Sequence, residues 1–289
     1  MQPKTTTRLA TVGLWLTAAI WGFAFVIVKN SLDFIPPLYM IALRFTLAGA
    51  VLGLIIHKRL RHLTLADVKG GAVVGLFLFL AYITQTIGCQ YTTAGKNAFL
   101  TAVYMILVPF LNWPVNHKRP GVRAIVAAAI GFAGIGLLSL GGDAVGGTAL
   151  GDGLTLLCGL GFAVHIVSVA KYTEHTDPVV LTFLQLSFTA LFAWILAPLT
   201  EGSFPIASLS LDGIIAIADL GLLSSLMGFL LQNVCQKIIV PSTVSLILSF
   251  EAVFGVLFSI LFLGDPLTLR LGAGFALMFI AVIIVEMRR

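Results

Sequence analysis

The sequence predicts an all-α integral membrane protein with ten transmembrane helices, arranged as two inverted repeats of five helices. Its 289 residues are 59% hydrophobic and only 10% charged, whereas a water-soluble domain carries about a quarter charged residues. Ten apolar stretches are each long enough to cross a bilayer, and they fall into two sets of five. Because five is odd, two similar units joined in one chain must lie upside down relative to each other.

The predicted spans are separated by short polar connections, which assign residues 1–140 to the first repeat and residues 141–289 to the second. The spans of the first repeat cover residues 9–28, 37–57, 69–89, 96–115 and 121–140. Those of the second repeat cover residues 150–170, 178–198, 212–235, 240–263 and 268–286.

The first span follows a short basic segment, a pattern that is also typical of a cleavable signal peptide. However, its apolar run extends to Val28, contains Trp15 and Trp21, and has no small-residue cleavage motif near its end. We therefore expect this segment to be retained as the first transmembrane helix.

Basic residues predict the orientation of the chain. With the N-terminus in the cytoplasm, thirteen of the 17 Lys and Arg residues lie on the cytoplasmic side, three lie outside, and Arg44 lies within a span. The positive-inside rule therefore predicts a multi-pass protein of the cell (inner) membrane with both termini cytoplasmic. The basic cluster 57–62 is predicted to anchor the chain at the lipid headgroups, and no nucleic acid partner is expected. The acidic residues predicted on the outer side are Asp33, Asp143, Asp152, Glu201, Asp212 and Asp265.

Similar short segments recur in the two halves in the same order, at offsets of about 140 to 146 residues. Residues 21–24 resemble residues 160–163, and a proline opens both the second and the seventh span. Arg44 and Gln185 lie seven residues beyond those prolines. In this alignment Glu251 falls opposite the apolar region near Val108, so the two copies have diverged where they carry charge.

Several motifs resemble the drug/metabolite transporter superfamily, specifically its ten-span EamA-type family, over nearly the whole chain. They are Trp21-Gly22, Phe25, Lys29, Pro36, Arg44, residues 91–101, Pro109, residues 249–254 and residues 264–267. The resemblance implies export or exchange of small metabolites, often amino acids. The family usually has Glu-Pro where this chain has Glu251-Ala252, which predicts the loss of a helix kink at Ala252. It usually has Gly-Glu where this chain has Gly264-Asp265, which keeps the negative charge.

Glu251 is the first of three candidate coupling or gating residues. It lies ten residues into its predicted span, close to the membrane midplane, where a charge costs several kcal/mol and marks a functional hypothesis. Burial disfavours the charged form of a carboxylate, so Glu251 is a candidate proton carrier or partner for a substrate amine. The alternative is a structural carboxylate paired within the bundle.

Arg44 and Asp219 are the other two candidates. Each lies seven residues inside the outer boundary of its span, a depth of about 10 Å at about 1.5 Å per residue. Similar depth predicts an ion pair, which acts either as a fixed bridge between the repeats or as a gate. Arg44 could instead hold a substrate carboxylate or extend toward the membrane surface.

Polar and aromatic helix faces supply the candidate substrate-binding cavity. Gly71 and Gly75 are predicted to let a neighbouring helix approach closely. For His165 a structural hydrogen bond is the alternative to ligand contact, and for Trp21 and Phe25 it is packing against lipid or a neighbouring helix. The candidate cavity residues are Trp21, Phe25, Tyr82, Gln85, Asn97, Thr101, Tyr104, His165, Ser168 and Gln232.

These features predict a secondary transporter, an exporter or exchanger, of small organic metabolites and in particular amino acids. The mechanism expected is alternating access between the two repeats. Amines, nucleosides or drugs are the alternative cargo in the same fold. An integral-membrane transferase or a channel is a remote alternative. The predicted partners are a small-molecule substrate, possible coupling protons and the lipid bilayer, and the sequence assigns no oligomeric state.

No catalytic residue, metal site or cofactor is predicted. Cys89, Cys158 and Cys235 lack the CxxC spacing of a metal or redox site, so we expect them to pack as small buried side chains. Few basic residues lie within the spans, which argues against phosphorylated or nucleotide-sugar cargo.

Overall fold

A computed structural model describes residues 4–116, 119–139, 147–204, 209–265 and 268–286. All secondary-structure elements in these ranges are helical. The predicted repeat boundary after residue 140 lies outside the described residues, as do Lys118, Asp143, Arg288 and Arg289, which entered the predicted orientation.

The helices follow the predicted spans closely. In the first half they are α1 (Lys4–Ser31), α2 (Pro37–Ile56), α3 (Leu65–Gln90), α4 (Ala94–Thr101), α5 (Tyr104–Asn116) and α6 (Val122–Ser139). In the second half they are α7 (Ala149–Tyr172), α8 (Pro178–Thr200), α9 (Leu211–Asp219), α10 (Gly228–Gln236), α11 (Pro241–Leu248), α12 (Glu251–Leu263) and α13 (Leu269–Glu286). A 3₁₀ turn, Arg59–His62, follows α2, and a π-helical segment, Leu220–Met227, joins α9 to α10.

Eight helical segments within the described residues are long and apolar enough to cross a membrane. They are Thr6–Ser31, Pro37–Ile56, Leu65–Gln90, Ala94–Val115, Ala149–Tyr172, Pro178–Thr200, Leu211–Gln236 and Pro241–Leu263. The remaining two predicted spans are helical as α6 and α13, which pack against each other.

The bundle has two ends, each with a vestibule. The end that holds the turns after α2, α5, α7 and α10 includes the basic turn Arg59–His62, and we call it the basic end. Its vestibule has a volume of about 760 Å³ and lies between the ends of α5, α7, α10 and α11. The opposite end has a vestibule of about 680 Å³, which the α1–α2 turn and the end of α8 line.

Helix α3 begins four residues earlier than the sequence predicts, because a capping box fixes its start. The Thr64 hydroxyl accepts a hydrogen bond from the Asp67 backbone N–H at 3.2 Å, and the Asp67 carboxylate accepts one from the Thr64 N–H at 3.0 Å. The sequence pattern placed the start of this span where the polar residues end, so it missed the first turn of α3.

The predicted fourth and ninth spans are each broken near their middle. Helix α4 ends at Thr101 and α5 begins at Tyr104, while α11 ends at Leu248 and α12 begins at Glu251. The expected loss of a kink at Ala252 is therefore wrong, because the helix breaks just before it without a proline.

Local backbone bonds explain both breaks. At each break, backbone N–H groups donate to the carbonyl three residues earlier instead of four. The Val103 N–H donates to the Leu100 carbonyl, and the Phe250 N–H donates to the Ile247 carbonyl, each at 3.2 Å. In the second break the Ser249 hydroxyl also bonds the Leu246 carbonyl at 2.7 Å, a bond that competes with regular helix geometry.

The predicted close approach at Gly71 and Gly75 is confirmed. A Cβ atom on Gly71 would lie 2.3 Å from the Leu184 Cβ, and one on Gly75 would lie 2.7 Å from the Phe188 Cβ. Both neighbours belong to α8, so these glycines bring α3 and α8 into backbone-level contact.

We expect Gly71→Ala to destabilise the protein by about 1 to 3 kcal/mol, since its methyl group overpacks this contact. Gly153→Ala is the matched control, because nothing lies within 4 Å of a Cβ there; it should be neutral or stabilise by up to about 1 kcal/mol. Thermal unfolding in detergent compares the two variants. Equal melting temperatures of the two variants would contradict this prediction, because they would show that α3 and α8 accommodate the added methyl group without a loss of stability.

Buried charge also ties the two halves together, at positions that sequence reasoning missed. The Lys96 ammonium lies 2.8 Å from the Asp152 carboxylate, and both side chains are buried. Lys29 donates hydrogen bonds to the backbone carbonyls of Cys89 and Thr92, each at 2.8 Å, and so caps the end of α3.

Loss of one partner of the Lys96–Asp152 pair should be costly. Lys96→Met leaves a buried carboxylate without its cation, for which we expect a loss of about 3 to 5 kcal/mol. The double variant Lys96→Met/Asp152→Leu should recover most of this loss.

Thermal unfolding of the three proteins measures this difference. Arg59→Gln is the control, because Arg59 forms an exposed pair with Asp177 at 3.2 Å and should cost less than about 1 kcal/mol. A double variant no more stable than Lys96→Met would contradict this account of the pair.

Candidate functional site

A small central cavity lies where the two broken spans meet α1, α2, α3 and α7. Its free volume is about 20 Å³, room for about one water molecule, so the helices must separate before an organic solute can enter. The residues that line it come from both halves: Trp21, Ala24, Phe25, Val28, Arg44, Tyr82, Gln85, Asn97, Phe162, Ser224 and Glu251.

Arg44 forms one wall of this cavity, with a side chain only 2% exposed. Its Nε donates to the Ser225 hydroxyl at 2.9 Å, and its Nη2 donates to the Ser224 hydroxyl at 2.8 Å. The guanidinium carbon also lies 4.9 Å from the centre of the Tyr82 ring, a cation–π distance. The direct contacts of this cation are thus with neutral groups.

The predicted Arg44–Asp219 ion pair is not formed. Asp219 interacts with Arg44 only at longer range, and the ion pairs of the described residues within 4 Å do not include it. The prediction counted depth along a regular α-helix, whereas the π-helical segment after Asp219 brings Ser224 and Ser225 to Arg44 instead. Such π-helical turns are frequent at functional sites.

A buried guanidinium with neutral partners favours an anionic ligand. Desolvation of a charge is costly unless an opposite charge accompanies it. No carboxylate of the described residues lies within 4 Å of Arg44. The cavity therefore offers a cation whose charge a carboxylate on a small solute would balance.

Glu251 lies at the same cavity, as the first residue of α12, and is 4% exposed. The first residue of α5, Tyr104, interacts electrostatically with this carboxyl group, although its hydroxyl has no partner at hydrogen-bonding geometry. Both helix breaks thus place a polar residue at the first position of the following helix, and of the two Glu251 lines the cavity.

Three further predicted residues form a hydrogen-bonded group next to Glu251. Gln85 Nε2 donates to the Thr101 hydroxyl at 3.3 Å, and Asn97 Nδ2 donates to the Thr155 hydroxyl at 2.9 Å. The Asn97 Oδ1 atom is buried without a hydrogen-bond partner. It is therefore a free acceptor at the cavity.

Trp21 and Phe25 supply the aromatic side of the cavity. Trp21 Nε1 donates to the Ser224 backbone carbonyl at 2.9 Å, so the indole is fixed against the π-helical segment. A Cβ atom on Gly228 would lie 2.4 Å from Trp21 Nε1, so only glycine fits there. The hydrogen bond and the close packing therefore fix the position of the indole ring beside the cavity.

Five of the predicted cavity residues do not line the central cavity: Thr101, Tyr104, His165, Ser168 and Gln232. His165 is fully buried and its Nε2 atom lies 3.0 Å from Gln185 Oε1. Ser168 is half-buried, and Gln232 is buried on α10. Helical spacing placed these residues on polar faces, but it could not tell which space each face adjoins.

Sequence reasoning missed Ser224, Ser225 and Phe162 as part of the site. The adjacent serines within an apolar span were a usable signal, because buried hydroxyls in membranes commonly bond a neighbouring helix. For Phe162 the signal was the internal repeat, because residues 160–163 resemble residues 21–24, which contain the predicted cavity residue Trp21.

Comparison with known proteins assigns the family. Residues 9–140 and 149–287 each match the EamA-like transporter family. An uncharacterized transporter of Archaeoglobus fulgidus is 32% identical over 282 residues, covering 96% of this chain and 86% of the relative. The uncharacterized transporter YvbV of Bacillus subtilis is 25% identical and covers 98% of this chain and 92% of its own.

A solved crystal structure shares the fold, with a TM-score of 0.73, 18% identity and 97% coverage of both chains. Both relatives are named as uncharacterized transporters, in agreement with the apolar helices long enough to cross a membrane. The chain belongs to the EamA-like transporter family, within the drug/metabolite transporter superfamily, and is a multi-pass membrane transporter.

Proposed function

We propose that this protein is a secondary transporter of zwitterionic metabolites, amino acids above all, that works as an exporter or exchanger. Two inverted five-helix repeats give alternating access to the central cavity. The protein lies in the cell (inner) membrane with ten spans and both termini in the cytoplasm, so the basic end faces the cytoplasm.

One observation carries the amino-acid assignment: Arg44 and Glu251 line the same small cavity. A guanidinium with only neutral partners matches a carboxylate, and a carboxylate near the midplane matches an ammonium group. Trp21, Phe25 and Tyr82 add aromatic surface for an organic side chain.

Helix packing supports the inverted repeat. Several contacts between two helices recur between their counterparts in the other half. Helix α3 packs on α7, and their counterparts α10 and α1 also pack on each other. Helix α1 packs on α12, and their counterparts α7 and α5 do so as well. Helices α2 and α8 pack on each other, as do α6 and α13. The two helix breaks fall at equivalent positions, and interrupted helices in corresponding positions commonly mark a transporter's binding site.

The helix breaks also revise the internal alignment. When the start of α5 is matched to the start of α12, Tyr104 rather than the region near Val108 becomes the counterpart of Glu251. The two residues interact electrostatically. The pseudo-symmetric pair thus contributes one ionisable and one neutral polar group to the same spot.

The small volume of the central cavity, compared with the vestibules at the two ends, supports alternating access. The central cavity holds about 20 Å³, whereas the vestibules at the two ends hold about 760 and 680 Å³. At the opposite end the Glu201 carboxylate accepts hydrogen bonds from the backbone N–H groups of Leu38 and Tyr39. These hydrogen bonds join the start of α2 to the end of α8 beside that vestibule.

Counterflow in proteoliposomes tests the substrate class. Vesicles are loaded with single amino acids, amines or nucleosides, and the entry of each labelled compound is followed. We expect amino acids with free amino and carboxyl groups to accelerate entry at least tenfold over empty vesicles. Entry of amines or nucleosides alone would overturn the amino-acid assignment.

A further inference from the structure

A second group of buried polar side chains lies between α7, α8 and α10, apart from the central cavity. We call it the polar ring, and all its members are at most 4% exposed. Its members are His165, Thr182, Gln185, Gln232, Asn233 and Gln236.

Contacts close this group into a circuit. His165 Nε2 lies 3.0 Å from Gln185 Oε1, and Asn233 Nδ2 donates to the Thr182 hydroxyl at 3.0 Å. Thr182 and Gln185 are one turn apart on α8. The Phe229 ring, one turn before Asn233, lies 5.8 Å from the His165 ring. These contacts place polar side chains of α7, α8 and α10 at one interface between the three helices.

Two side chains of the ring hold a free acceptor in a fixed orientation. The Thr182 hydroxyl donates to the Pro178 carbonyl at 2.7 Å, so it must accept from Asn233 Nδ2, which leaves Asn233 Oδ1 without a partner. Gln236 Nε2 donates to the Ile166 carbonyl, so Gln236 Oε1 accepts from Gln232 Nε2 and Gln232 Oε1 is free.

The His165–Gln185 pair leaves one donor and one acceptor in either tautomer. If His165 Nε2 donates to Gln185 Oε1, then His165 Nδ1 is a free acceptor and Gln185 Nε2 a free donor. If the Gln185 amide is reversed, so that its Nε2 donates to His165 Nε2, then His165 Nδ1 is the free donor and Gln185 Oε1 the free acceptor. Four buried atoms without partners are unusual in one region, since buried polar groups are nearly always hydrogen-bonded.

The ring lies on a route between the central cavity and the basic end. The Phe229 ring lies 5.0 Å from the Trp21 ring on one side and 5.8 Å from His165 on the other. Phe162 lines the cavity and also lies 6.5 Å from His165. On the side of the basic end, Gln236, itself a member of the ring, also lines the vestibule.

We propose that the polar ring is a second solute site, occupied after Phe162 and Phe229 move aside. It takes the N–H-bearing group of a small polar solute, because its two oriented acceptors and its His165–Gln185 pair match such a group. It carries no formal charge, so it binds more weakly than the Arg44 side and favours release. This inference rests on the proposed function for the identity of the solute.

Thiol labelling tests the site directly. Cys89, Cys158 and Cys235 are replaced by alanine, and Asn233→Cys or Gln232→Cys is introduced. The reagent is the water-soluble cation 2-(trimethylammonium)ethyl methanethiosulfonate, added to proteoliposomes. Val234→Cys is the matched control, since Val234 is the neighbour on the outer, 37% exposed face. Labelling at either polar position should be at least tenfold faster than at the control.

A saturating mixture of unlabelled L-amino acids should then slow labelling of Asn233→Cys and Gln232→Cys at least threefold. Rates equal to that of Val234→Cys at both positions would overturn the second site, because a sealed structural network does not admit the reagent. If amino acids do not protect but amines or nucleosides that move in counterflow do, the site stands and the amino-acid assignment falls.

Discussion

Arg44→Gln should abolish amino-acid exchange while the protein folds and inserts normally. Removal of a buried charge that binds an opposite charge costs about 2 to 5 kcal/mol, or roughly 30- to 5,000-fold in affinity. Glutamine keeps hydrogen-bonding capacity toward Ser224 and Ser225, which the guanidinium contacts at 2.8 and 2.9 Å. The loss should therefore reflect charge, and exchange in proteoliposomes measures it.

Two variants control this experiment. Arg59→Gln removes an exposed arginine at the basic end and should leave exchange within twofold of the wild type. Arg44→Lys should restore only a small part of the activity, because a lysine ammonium lacks the planar geometry that bonds two hydroxyls and a carboxylate together. Full exchange by Arg44→Gln would show that Arg44 is a structural cation.

The second large effect is expected at Glu251. Glu251→Gln should abolish uptake driven by a pH gradient, and it should weaken but not abolish amino-acid exchange without a gradient, because the amide oxygen still accepts a hydrogen bond from a substrate ammonium group. The glutamine side chain has nearly the same shape, so the cavity is kept, but it cannot carry a proton. Its position at the cavity, beside Tyr104, makes Glu251 a coupling candidate.

Glu174→Gln is the matched control for Glu251→Gln, since Glu174 is exposed at the basic end. It should retain both activities. Unchanged pH-driven flux in Glu251→Gln would remove the proton-coupling role. Loss of both activities together with a lower melting temperature would assign Glu251 a structural role.

The helical spans were largely predictable from the sequence, because length and apolar composition determine what can cross a bilayer. The departures come from local bonds that hydropathy does not report. The Thr64–Asp67 capping box extends α3, and i→i+3 bonds break α4 from α5 and α11 from α12. The π-helical segment Leu220–Met227 likewise has no signature in the apolar pattern.

The candidate site was predictable in part. Arg44, Glu251, Tyr82 and Gln85 were singled out because polar groups within apolar spans are costly, and the structure brings them to one cavity. The partner of Arg44 was not predictable, since a depth estimate is accurate only to about one helical turn. The separation of His165 and Gln232 from that cavity depends on Phe162 and Phe229, whose positions only three-dimensional packing determines.

The central claim, that Arg44 holds the carboxylate of a zwitterion, is tested most directly by a double comparison. Counterflow is measured for an amino acid and for its methyl ester, which lacks the carboxylate charge, in the wild type and in Arg44→Gln. We predict that the wild type prefers the amino acid at least 30-fold and that the variant loses this preference. The same preference in both proteins would contradict the account.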